Sequence, residues 1–161
     1  MARSSADVQT DINNTQNSIS AYNDQISMCN SNMQSLDAKC QELQNEKDII
    51  EQSMQIVYNL WHDLISDIGK LDPSSVCIQE IMDKAPSEIE SESRAAVNTA
   101  IKLALEIQAQ IDKAEKEYDE WSNLSSKCQQ QKSNCESKLT TLNTEFTQAQ
   151  EEEALAAVGG V

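Results

Sequence analysis

From Val8 to Leu71 one side of the chain turns apolar at alternating steps of four and three. The series runs Val8, Ile12, Thr15, Ile19, Tyr22, Ile26, Cys29, Met33, Leu36, Cys40 and Leu43. It continues through Lys47, Ile50, Met54, Val57, Trp61, Leu64, Ile68 and Leu71, with Thr15 and Lys47 its polar members. A repeat of about 3.5 residues keeps one seam of an α-helix facing a partner helix. The same period returns at Val97 and visits Ala100, Ala104, Ile107, Ile111, Ala114, Tyr118, Trp121, Ser125 and Cys128. Lys132, Cys135, Leu139, Leu142, Phe146 and Ala149 complete it. The pattern predicts an all-α protein: a long antiparallel two-helix coiled-coil hairpin with a short helical elbow.

Between the arms the period fails. Gly69 loosens the end of the first arm, and Asp72-Pro73 reads as a stop and restart, with Asp72 capping and Pro73 in the first turn. Val76, Ile78, Ile81 and Met82 suggest two turns of helix, which Ala85-Pro86 should end. Ser87-Glu88-Ile89-Glu90 then has capping-box spacing and marks the start of arm two. One domain over 1–161 follows, with arm one at about 8–71, elbow 72–87, arm two 88–153 and a flexible tail 154–161.

In an antiparallel pair each layer joins one residue of each arm. Folding about this elbow sets Ile68 against Ala100, Trp61 against Ile107, Ile50 against Tyr118, Cys40 against Cys128 and Ile26 against Leu142, a constant number sum of 168. A parallel dimer would use the same seam, because a seam records period and not direction.

Cys29, Cys40, Cys128 and Cys135 all occupy seam positions, and Cys77 lies in the elbow. A buried reduced thiol packs as a small hydrophobe. In an oxidising setting the predicted register offers a Cys40–Cys128 disulfide, while Cys29 and Cys135 miss each other by about one turn. No metal site is expected, since cysteine spacings of 11 and 7 are not those of structural zinc and the single histidine, His62, is distant.

Composition narrows the function. Against 27 acidic side chains stand 12 basic ones, a net charge of −15. Nucleic acid and anionic membranes require a basic face, so neither is an expected partner. No apolar run at the start resembles a secretory signal and none elsewhere approaches a membrane span, which points to a cytoplasmic protein or one exported without a cleaved signal. His62 beside Asp63 is not an oriented catalytic pair, because neighbouring helix positions diverge by about 100°. There is no glycine-rich phosphate loop and no nucleophile motif. The expectation is therefore a non-enzyme without cofactor or small-molecule substrate. Glu151-Glu152-Glu153 reads as a solvated helix end.

Apolar residues outside the seam gather near the elbow. Ile49 and Ile56 recur seven apart on an outer face, and Leu60, Ile65, Ile101, Leu103 and Leu105 widen the stripe. The elbow segment Val76–Met82 can cover part of this surplus; the remainder must be buried against another element or another chain. Ile49, Ile56, Leu60, Ile65 and Leu105 are the candidate partner-binding residues.

A signal-less, acidic, two-arm helical hairpin with Trp61 at the elbow-proximal end of arm one resembles the small helical proteins of Gram-positive type VII secretion. More specifically, it resembles the long hairpin proteins that accompany LXG-type toxins. The resemblance is one of architecture over the whole chain. Where a WXG turn has glycine this chain reads Trp61-His62-Asp63, and the acid expected four residues after Tyr118 is Ser122. The resemblance implies an export or targeting partner that docks beside the helical N-terminal region of a toxin. The alternatives are a structural coiled-coil scaffold that self-assembles, and a redox-responsive hairpin.

Overall fold

In the computed structural model, which describes residues 3–158, two long helices pack antiparallel against each other: α1 (Ser5–Ile68) and α2 (Val76–Val158). No strand occurs among the described residues. By spatial proximity the pair divides into two compact units. One joins the segment up to Ser35 to the segment from Glu117 onward; the other is Leu36–Lys116.

Helix α1 starts where its capping residues dictate. Ser4 Oγ accepts from the Asp7 amide at 3.2 Å and donates to Asp7 Oδ2 at 2.7 Å, and the Ser4 carbonyl takes the Val8 amide at 3.1 Å. A serine cap with an acid three residues on satisfies free amides at the positive end of the helix dipole. At the far end, Lys70 and Leu71 donate back to the carbonyls of Asp67 and Ile68, each at 3.1 Å, tightening the last turn.

The seam is built as the period requires. From Val8 to Trp61 every predicted α1 position is buried or half-buried, and from Val97 to Ala149 every predicted α2 position except Tyr118 is too. In the first unit Val8, Ile12 and Leu142 form a core with Leu139 and Phe146 against it. In the second, Leu43, Ile107 and Ile111 pack together with Ile50. Polar seam members are accommodated by pairing. Lys47 Nζ donates to Gln108 Oε1 at 2.7 Å and lies 3.8 Å from Glu51, while its methylenes stay in the seam. Ser125 Oγ accepts from Gln129 Nε2 at 3.4 Å.

The elbow and the register differ from expectation. The connection comprises residues 69–75, and residues 76–87 belong to α2 with Pro86 inside it. Asp72 does not cap a helix; its Oδ1 accepts from the Ser74 amide at 3.1 Å, a side-chain turn. The first α2 bond runs from the Gln79 amide to the Ser75 carbonyl at 3.0 Å. Proline fixes a helix-compatible φ, forfeits its own bond to the Met82 carbonyl and crowds that carbonyl with its ring. Against that loss, Ile78, Met82, Ala85 and Ile89 extend the α2 seam backwards at steps of four, three and four, and all four are half-buried. Starting α2 three turns early moves the register by a similar amount. Facing pairs are Gln25 with Cys128 (sum 153), Lys47 with Gln108 (155) and Ser5 with Glu153 (158), in place of 168.

That shift corrects the cysteine pairing. Cys128 shares its layer with Cys29 and not with Cys40, which lies eleven residues further along α1, and all five thiols are free. The tail is shorter than expected, since 154–158 are helical and 159–161 lie outside the described residues.

Candidate docking surface

Large apolar side chains left in water concentrate in the Leu36–Lys116 unit. Ile49 is 63% exposed, Ile56 58%, Leu60 64% and Leu105 65%, whereas Ile65 is half-buried. Tyr58, Leu64, Ile101 and Leu103 are exposed as well. The physical origin is the drift of a 3.6-residue helix past a 3.5-residue seam. By the end of α1 the seam has moved from Leu64 to Ile65 and Ile68: Ile68 is buried, and Leu64 and Leu71 face outward.

At about 100° per residue the five predicted residues do not share one face. Ile49, Ile56 and Leu60 lie within about 40° of one another on one flank of the α1 seam. Tyr58 and Ile65 lie on the other flank. A groove of about 220 Å³ places Tyr58 and Trp61 of α1 beside Ser93, Arg94, Val97 and Asn98 of α2. Leu105 and Ile101 occupy the same α2 face as Arg94 and Asn98, so Leu105 belongs to the Tyr58 flank. Leu103 falls on the opposite edge of the α2 seam and joins Ile49, Ile56 and Leu60. The anticipated single stripe is thus two.

The flank of Ile49 has a defined charge pattern. Two columns of heptad-spaced residues run along it, Glu42-Ile49-Ile56-Asp63 and Glu46-Ser53-Leu60-Asp67. Exposed carboxylates bracket the apolar centre at both ends. Lys70 Nζ donates to Asp67 Oδ1 at 2.8 Å, which together with its Coulombic attraction raises the lysine pKa. Burying Ile49, Ile56 and Leu60 against another helix would release roughly 1–2 kcal/mol each at about 25 cal/mol per Å².

The opposite flank is built around aromatic rings. Tyr58 meets Trp61 edge to face, centroids 5.4 Å apart and planes at 80°. Trp61 Nε1 is buried without a hydrogen-bond acceptor. Arg94 does not supply charge freely there, because its Nε donates to Glu90 Oε1 one turn back at 3.0 Å. Tyr58 and this groove were not singled out by periodicity. The available signal was the pair Tyr58 and Trp61 at i, i+3, a spacing that puts two rings in contact on a helix.

Among the described residues no helix is long and apolar enough to cross a membrane, and no cluster of three or more His, Cys, Asp or Glu side chains is placed to hold a metal ion. His62 is exposed. In comparison with known proteins, no family model matches the chain, and neither does any curated protein or solved structure.

Proposed function

We propose that this protein is a non-enzymatic helix-docking module, and that the flank formed by Ile49, Ile56, Leu60 and Leu103 receives an amphipathic helix of a partner protein. The observation that carries the reading is that three large apolar α1 side chains, each more than half exposed, gather on one flank of the seam. A helix apolar beyond its own seam is suited to a third helix. The bracketing Glu42, Glu46 and Asp63 favour a partner with an apolar stripe and basic residues toward its ends, since like charges there would repel; Asp67 is already held by Lys70. In the secretion setting that the two-arm architecture resembles, the partner is the helical N-terminal region of an exported toxin, and the module acts as its targeting factor.

The test compares three proteins in co-purification from the native cell, followed by light scattering of the complex. The wild-type chain is expected to retain a heteromeric partner, the Ile49→Glu/Ile56→Glu double variant to lose it, and Leu105→Glu on the other flank to keep it. Helicity should be equal in all three. Retention by the double variant would move docking elsewhere, and homo-oligomers alone would leave the self-assembling scaffold as the function.

A further inference from the structure

The unit that contains both helix ends encloses two thiols that the docking function does not use. Cys29 on α1 is 0% exposed and Cys128 on α2 is 4% exposed. Cys128 Sγ donates to Gln25 Oε1 at 3.2 Å, one turn before Cys29 on the same face of α1. Their numbers sum to 157, within the span set by the facing pairs Gln25–Cys128 and Ser5–Glu153 of the same unit. The two thiols therefore stand in one layer of the seam, one from each helix.

We propose that Cys29 and Cys128 are an oxidisable pair, a modification site that takes a small-molecule disulfide such as oxidised glutathione as co-reactant and closes into a covalent bond between α1 and α2. The chemistry is two successive thiol–disulfide exchanges. The Cys128 thiolate attacks one sulfur of the co-reactant, its S–S bond breaks, and the first small thiol leaves. The Cys29 thiolate then attacks the Cys128 sulfur, the mixed disulfide breaks, and the second small thiol leaves. Two electrons pass from the protein dithiol to the co-reactant, and the two protons lost by the cysteines end on the departing thiols.

Burial pushes the Cys29 thiol up, and the neighbouring Cys128 adds to that shift, so the closed seam holds Cys29 as a thiol. Exchange runs through transient opening of the layer. The local seam is suited to that opening, because Ser125 and Lys132, the α2 seam positions on either side of Cys128, are polar. Cys40 and Cys135 are half-buried and Cys77 is exposed, and none of them shares the layer of Cys29 and Cys128.

The experiment incubates the full folded chain with oxidised glutathione, blocks remaining thiols, digests with trypsin and identifies linked peptides by mass spectrometry. Cleavage after Lys39 separates Cys29 from Cys40, and cleavage after Lys127 and Lys132 isolates Cys128 from Cys135. The expected product joins peptide 4–39 to peptide 128–132, lighter than the two together by two hydrogens. Closing a loop of about 100 residues should raise the melting temperature by roughly 10 °C, reversed by reductant. Cys40→Ser should form the same link. Free Cys29 and Cys128 beside glutathionylated Cys77, or a link from Cys128 to any other cysteine, would overturn the assignment.

Discussion

Glu153 caps the start of α1. Its Oε1 accepts from the Ser5 amide and its Oε2 from the Ser5 hydroxyl, both at 2.8 Å, so one carboxylate near the end of α2 satisfies two donors at the opposite helix's N-terminus. A negative group placed there also meets the positive end of the helix dipole. Glu153 is thus more than the solvated end that a run of three glutamates suggests. Arg3 adds ion pairs to Asp11 and to Glu145, the latter at 3.6 Å, within the same unit.

The backbone and hydroxyl bonds from Ser5 lower the Glu153 pKa from its ordinary 4.5. A depressed carboxylate contributes its stability above the unfolded value and loses it as pH falls through the folded one. Protection of the Ser5 amide from hydrogen exchange should therefore be constant above about pH 4.5 and decline below it. Glu153→Gln should remove this pH dependence at Ser5. A decline that survives in that variant would assign it to another carboxylate.

Pro86 lies inside α2 at a cost to local helix stability. Pro86→Ala restores an amide for the Met82 carbonyl and should stabilise the protein by about 1–3 kcal/mol, read as a higher urea midpoint at unchanged slope. Destabilisation would mean that the proline ring packs better than the missing bond costs.

Ile111 is 5% exposed in the core it shares with Leu43 and Ile107. Ile111→Ala should cost about 2–5 kcal/mol through lost burial and the cavity left behind. Ile49→Ala, a truncation of the same chemistry at an exposed site, should change stability by less than about 0.5 kcal/mol. Thermal unfolding of the two variants measures the contrast, and equal losses would contradict the assignment of Ile49 to an open flank.

Lys47 reaches across the seam to Gln108. Lys47→Ala should destabilise by about 1 kcal/mol, and the loss should shrink when Gln108 is also alanine, because the two share one bond. A double-mutant cycle in urea reads the coupling. It also reports the register, since a sum of 168 would set Lys47 against Trp121 and leave Gln108 without this partner.

Periodicity alone determined that two helices form, which residues of each face the other apart from Leu64, Leu71 and Tyr118, and that the seam tolerates Thr15, Lys47, Ser125 and Lys132. Those properties depend on spacing along one helix, and spacing is written in the sequence. Register is a different kind of quantity. A heptad seam matches itself at many offsets, so the choice among them rests on where the turn falls, and local signals at Asp72-Pro73 and Ala85-Pro86 pointed to a later turn than the one formed. Tertiary packing decided otherwise: Ile78, Met82, Ala85 and Ile89 gain burial by continuing α2 through Pro86. From that start follow the pairing of Cys128 with Cys29 and the reach of Glu153 to Ser5. Each of these joins residues from different helices, and a helical repeat specifies the face of one helix without specifying the height of its neighbour.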